Sequence, residues 1–246
     1  MKSERSVPQI KRPVVWVTGA SRGIGREVAK EFASIGCIVC LSGRSRQQLK
    51  SAVSQIIEKG GRAYAIPLDI KDLKSLANAH RTIVKSVGEV NVLVNNAGVT
   101  AFRSFVHTTP KEFENILQTN LLGHVYCAKA VVPGMIKAKG GYIINVISHA
   151  AMKTFTNSSA YAASKSGVFG WAKVVREELG AYNIKVVNVL PGATDTRMWS
   201  KKVRAKYSHR MMKPASIAET IVSIYQLPDD VVVDEIVLRP ILGDLS

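Results

Sequence analysis

The stretch Pro13-Val14-Val15-Trp16-Val17-Thr18-Gly19-Ala20-Ser21-Arg22-Gly23-Ile24-Gly25 decides the architecture. Its first five residues form an apolar run of the kind a buried parallel strand carries. Helical spacing takes over from Gly23 to about Ile35. Glycines at 19, 23 and 25 lie between the two, where they allow a tight turn, backbone approach to a phosphate and close helix–strand packing. A helix opening there offers free N–H groups and a positive dipole end to an anion such as a pyrophosphate.

Working outward, further apolar runs at 37–41, 62–68, 90–95, 142–147, 184–190 and 231–238 read as strands. Between them, 47–59, 73–87, 110–137, 160–179 and 214–227 have helical spacing. The helix from Pro110 has Thr109 as N-cap, Pro110 at its first position and Glu112 completing a capping box; a kink is expected at Pro133. Asp72 is placed to cap the helix from Leu73. Strand and helix alternate from end to end, which predicts a single α/β domain over 13–246: a doubly wound parallel sheet with helices on both faces. Ligands of such sheets sit at the carboxyl ends of the strands.

Composition bounds the partners. The chain has 246 residues, with 34 Lys and Arg against 18 Asp and Glu, a net charge of +16. The basic residues are spread along the chain and no nucleic-acid recognition motif accompanies them, so no specific nucleic-acid role is expected. No apolar run approaches the ~18 residues of a membrane span. Residues 1–12 read as a basic disordered tail without a signal-peptide core, and the expected address is the cytoplasm. Cys37, Cys40 and Cys127 suit a reducing compartment. Cys37 and Cys40 have redox-motif spacing, but both fall in one apolar run and read as core. The five His and the scattered acids give no metal-ligand pattern.

The spacing G-x-x-x-G-x-G over 19–25 resembles the short-chain dehydrogenase/reductase family, and four more motifs extend the resemblance. Asn95-Asn96-Ala97-Gly98 is similar to the family's N-N-A-G, Asn120 stands mid-helix, Ser148 and Tyr161 are 13 apart with Lys165 four residues on, and Pro191-Gly192-Ala193-Thr194-Asp195-Thr196 is similar to P-G-x-x-x-T. The resemblance runs from Val14 to about Leu227. It implies a Rossmann-type fold, an oxidoreductase of carbonyl and alcohol groups, and a homodimer or homotetramer built on the helices of Asn120 and Tyr161. The apolar face Val168, Trp171, Val174 and Val175 is compatible with that assembly.

The resemblance also implies roles. Asn120, Ser148, Tyr161 and Lys165 are the expected catalytic set: Ser148 positions the substrate oxygen, Tyr161 moves the proton, Lys165 lowers the Tyr161 pKa and holds the nicotinamide ribose, and Asn120 anchors a proton-relaying water. Expected cofactor contacts are Gly19, Ser21, Arg22, Gly23, Ile24, Gly25, Arg44, Asp69, Ile70, Asn96, Ala97, Gly98, Tyr161, Lys165, Pro191, Gly192, Thr194 and Thr196. NAD sites place an acid about 20 residues past the turn. Here no acid lies between Glu31 and Glu58, and Arg22 and Arg44 are placed to bracket a 2′-phosphate, which predicts NADP(H).

A serine-nucleophile reading fails because no G-x-S-x-G surrounds Ser148. His149 alternates to the opposite strand face and reads as structural. The segment 193–213 is the expected substrate lid. It holds seven basic residues over 197–213 and no acid, which points to an anionic 3-oxo acid or acyl thioester. A neutral ketone, sugar or steroid-like substrate is the alternative, as is a dinucleotide-binding regulator without chemistry. The final strand lacks the glycine pair of many acyl-carrier-protein reductases and looks more like members oxidising small 3-hydroxy acids or serine-like alcohols.

Overall fold

A computed structural model describes residues 12–245; the tail expected over 1–12 lies outside them save for Arg12. Seven parallel strands form one sheet in the order β3-β2-β1-β4-β5-β6-β7. They are β1 (Val14–Thr18), β2 (Ile38–Gly43), β3 (Arg62–Pro67), β4 (Val92–Asn95), β5 (Gly141–Val146), β6 (Ile184–Pro191) and β7 (Glu235–Leu238). The order reverses between β1 and β4, so the crevice at their carboxyl ends is the topological switch point where such folds bind ligands.

Residue alternation divides the core. In β1, Val15 and Val17 face one layer with Val28 and Phe32 of α1 (Gly23–Ser34). Val14 and Trp16 face the other layer, with residues of α3 (Leu73–Ser86). α2 (Arg46–Ile57) and α8 (Pro214–Tyr225) join the first layer. The buried Trp16 indole donates to Ser42 Oγ at 2.8 Å, satisfying the polar end of the largest core side chain. Cys37, Cys40 and Cys127 are buried free thiols; burial raises all three, Cys37 to about 11 and Cys40 to about 12, so they are inert core.

The caps expected at Asp72 and Thr109 form, the latter as a complete capping box. The long helix from Pro110 departs from expectation. It breaks into α4 (Pro110–Leu117), a π turn (Gln118–Leu122) and α5 (Gly123–Ala138), and Pro133 lies inside α5. A π turn inserts one residue into the helical count and rotates its side chains, a device frequent at functional sites. Here it carries Asn120. The last apolar run pairs only over β7, four residues at the sheet edge. α6 (Ser159–Gly180) buries Val168, with Trp171 and Val175 packed on the core, whereas Val174 is exposed.

Candidate active site

A cavity of about 870 Å³ opens at the switch point, running without interruption from Arg22 and Arg44 to Ser148, Tyr161 and Lys165. Every expected cofactor contact lines it except Gly25. Gly19 and Gly23 take positive φ (64° and 58°), and a Cβ on Gly19 would sit 2.8 Å from Ala97 Cα. Gly25 serves another purpose than packing helix on strand: a Cβ there would meet Asn96 Nδ2 at 2.3 Å. That amide donates to the carbonyls of Thr18 (2.9 Å) and Gly19 (3.2 Å), so Asn96 clamps the glycine turn. Arg22, the N-cap of α1, provides no side-chain cap, and the first turn carries no acid. Those N–H groups are left for an anion.

Thr18 was not singled out by sequence, yet it ties two motifs together. Its buried hydroxyl donates to Val94 O and accepts from the N–H groups of Asn96 and Ala97. Buried amides of Asn95, Asn145 and Asn188 form a ladder across β4, β5 and β6 at matching register. An Asn at the same height in three strands is the pattern from which this ladder is legible.

The Tyr161–Lys165 pair lies on the first turns of α6, with Lys165 Nζ 5.8 Å from the Tyr161 ring centre. Lys165 is 3 % exposed and donates to Val146 O at 2.9 Å. Burial lowers its pKa to about 7. Burial also raises Tyr161, with a hydrogen bond from Ser148 acting against the rise. Burial thus acts on both members of the pair, and the hydrogen bond with Ser148 is what favours the Tyr161 phenolate here. Ser148 Oγ accepts from Ala150 N–H at 3.1 Å, leaving its own proton to donate.

Asn120 is fully buried and bonds Val99 and Ser164. His124, missed in the sequence, lies one turn on. Its Nε2 is 2.8 Å from Ala97 O, and burial with the nearby Lys165 charge pushes its pKa down to about 3. The ring is neutral at neutral pH, so Nε2 carries the proton that Ala97 O accepts.

Two expectations change. β5 ends at Val146, and Ser148 caps a 3₁₀ turn (His149–Ala151), so His149 is no strand residue facing away; it lines the cavity. The segment expected as the lid is partly helical, and most of its charge faces away from the cavity. It is pinned at its base by Asp195 N–H to Met212 O and Met212 N–H to Ala193 O, both 2.9 Å, and contains α7 (Lys201–Tyr207). Met198, Trp199, Val203 and Tyr207 line the cavity, and Trp199 stacks on Phe102 with ring centres 4.9 Å apart. Of its seven basic residues only Arg197 lines the cavity. Arg204 is bound to Asp195 at 2.6 Å, and Arg210 donates to Leu242 O.

The family model described as short chain dehydrogenase matches residues 13–207. The chain belongs to the short-chain dehydrogenase family. Like its relatives, this short-chain dehydrogenase is an oxidoreductase. It is similar to a sepiapterin reductase of Chlorobaculum tepidum, 34% identical over 95% of this chain and 98% of the relative. It is also similar to a 3-oxoacyl-[acyl-carrier-protein] reductase of Aquifex aeolicus, 31% identical over 79% of this chain and 80% of the relative. A metagenomic short-chain oxidoreductase solved in complex with NADP superposes with a TM-score of 0.82, at 31% identity, over 93% of this chain and 96% of that one. Among the described residues no helix is long and apolar enough to cross a membrane, and no group of three His, Cys, Asp or Glu is gathered for a metal ion.

Proposed function

We propose that this short-chain dehydrogenase is an NADP(H)-dependent carbonyl reductase or alcohol dehydrogenase. The observation that carries the reading is one continuous cavity with Arg22 and Arg44, neither in an ion pair among the described residues, at one end and Ser148, Tyr161 and Lys165 at the other. The chain fits the dinucleotide. The uncapped first turn of α1 and Arg22 suit the pyrophosphate, and Arg44, which lines the same cavity, suits a 2′-phosphate. Lys165, a buried amine with one carbonyl partner, has N–H groups left for ribose hydroxyls. The NADP bound by the metagenomic relative agrees with this choice.

When bound, the nicotinamide supplies or accepts the hydride. The chain does the rest. Ser148 donates to the substrate oxygen and fixes it beside Tyr161. The Tyr161 hydroxyl gives that oxygen its proton as negative charge develops there, and the ammonium of Lys165 stabilises the phenolate left behind. Asn120 holds the helix turn and the 98–99 backbone against this group, and in the same reading anchors a water that returns the proton. The Phe102–Trp199 stack and the apolar inner face of the lid exclude solvent.

For substrate, the reading is an oxo compound with an apolar body and an anionic group, as in a 3-oxo acid or acyl thioester. Arg197 on the cavity wall and the outward Lys201 and Lys202 favour the anion. The aromatic wall of Phe102, Trp199 and Phe155 favours a second reading, a neutral ring-bearing ketone. The exposed Val174 on α6 leaves an apolar contact for a second copy, in keeping with a homodimer or homotetramer.

The test is a panel of carbonyl substrates with NADPH and NADH, following loss of the reduced nicotinamide. Turnover with NADPH, lost in Tyr161→Phe while NADPH still binds, is the expected result. A Tyr161→Phe variant with near-normal turnover overturns the assignment.

A further inference from the structure

The segment that follows β7 turns back into the cavity. Gly243 has φ 78°, and Asp244 and Leu245 line the cavity wall. The Asp244 side chain is 4% exposed. It is held from two directions on the turn after Ser148: His149 Nδ1 lies 3.1 Å from Oδ2, and Lys153 Nζ donates to the same oxygen at 3.0 Å. Gly192 makes room for it, since a Cβ there would sit 2.9 Å from Asp244 Oδ1. Arg210 of the lid donates to Leu242 O at 3.2 Å, so the segment is fastened to the lid as well.

The consequence falls on His149. Its ring lines the cavity and packs edge-on to Phe155, with centres 6.2 Å apart. Asp244 engages Nδ1, while Nε2 makes no hydrogen bond among the described residues. With Nδ1 engaged by the carboxylate, Nε2 is the ring nitrogen left to meet a ligand, and in the Nδ1–H tautomer it meets one as an acceptor. The chain thus presents an oriented ring nitrogen in the cavity, one residue along from Ser148. Such an acceptor has no part in delivering a proton to the reacting oxygen.

We propose that His149 is a substrate-binding residue that recognises a hydroxyl or N–H group of the substrate apart from the reacting carbonyl, and that Asp244 is the positioning residue that sets its tautomer. The proposal rests on the reading of this cavity as a carbonyl-reducing site. It adds a selectivity that neither the charge of the lid nor its aromatic wall supplies, because a site built to pair a donor loses free energy when the donor is missing.

The experiment compares ketones bearing a free hydroxyl with their methyl ethers, several pairs of differing length, with NADPH. In the wild type the hydroxy ketone of at least one pair is preferred in kcat/KM by ~10-fold, the worth of one buried hydrogen bond of about 1.4 kcal/mol. His149→Phe and Asp244→Asn each bring that ratio to within about twofold of unity. The double variant lowers it no further than His149→Phe alone, because Asp244 acts through the ring. A general loosening of the fold lowers both members of a pair together, and thermal melts of each variant check folding. Asp244→Ala is the second variant if Asp244→Asn does not fold. A wild-type ratio near unity in every pair, or variants that leave a high ratio intact, overturns the proposal. No turnover of any ketone by the wild type, or full turnover in Tyr161→Phe, overturns instead the reading of the cavity on which it rests.

Discussion

Asn120 and Val99 meet through two opposed hydrogen bonds: Asn120 Oδ1 accepts from Val99 N–H at 2.8 Å, and Asn120 Nδ2 donates to Val99 O at 2.9 Å. The side-chain amide thus acts as a short piece of strand beside the loop after β4. Its second N–H reaches Ser164 Oγ at 3.0 Å, joining that loop to α6. Asn120→Ala leaves both main-chain groups of Val99 without these partners. We expect a loss of about 2 kcal/mol in unfolding free energy, within the usual cost of ~1–3 kcal/mol per unpaired buried group. Turnover falls as well. An unchanged denaturant midpoint shows that water replaces the amide without cost.

Lys165 costs the free protein stability. Its folded pKa is about 7 and its ordinary value 10.5, so between those limits the unfolded chain holds a proton that the folded chain does not. Stability therefore rises with pH across that window, by at most ~1.4 kcal/mol per unit. Below pH 7 both states are protonated and the cost of the buried charge is felt in full. Lys165→Met removes that cost. We expect the variant to melt ~2–4 °C higher at pH 6.5, to lose most of its pH dependence from 7 to 10, and to be inactive. A lower melting temperature at pH 6.5 contradicts this account.

The fold was legible because it repeats one pattern: seven apolar runs alternating with helical spacing leave little choice of architecture. The site was legible where spacing is rigid, as between Tyr161 and Lys165 on one helix. It was less so where tertiary contacts decide. Nothing in Gln118-Thr119-Asn120 announces a π turn, nor the pairing of its Asn120 with Val99, 21 residues away. His149 reads as a strand residue because Val146 and Ile147 continue the apolar run, but the strand ladder stops at Val146. The sequence places Lys165 one turn from Tyr161 but does not show the burial that lowers the lysine. In sequence Arg204 reads as one more lid charge; in the fold Asp195 lies 2.6 Å from it, a pairing across nine residues that a helical count does not suggest.

Cofactor choice turns on Arg44. It lines the cavity with Arg22 after β2, where a carboxylate is otherwise needed for a 2′-hydroxyl. Arg44→Asp exchanges a bidentate phosphate partner for a group that repels phosphate. We expect the ratio of kcat/KM for NADPH over NADH to fall by at least ~100-fold, the equivalent of about 2.7 kcal/mol. A wild type that already prefers NADH contradicts the reading of this turn.

The charges of the lid separate into two kinds, and the separation can be measured. Arg204 is part of the lid's construction: it binds Asp195, whose own N–H pins the base of the lid to Met212. Lys201 and Lys202 are exposed at the start of α7 and do not line the cavity. They do not contact a bound substrate there, so any effect they have is on encounter. Attraction between a cationic mouth and an anion raises the association rate and weakens as salt shortens the Debye length to ~10 Å at 0.1 M. Lys201→Ser with Lys202→Ser is therefore expected to lower kcat/KM for a 3-oxo acid about two- to fivefold at low salt. At 0.5 M salt the difference vanishes, and a neutral ketone of the same size is unaffected throughout. Arg204→Gln behaves otherwise. It loosens the lid for charged and neutral substrates alike, and salt does not remove the loss. If the double lysine variant slows both substrates equally at every salt concentration, the lysines act on the lid's structure and steering plays no part.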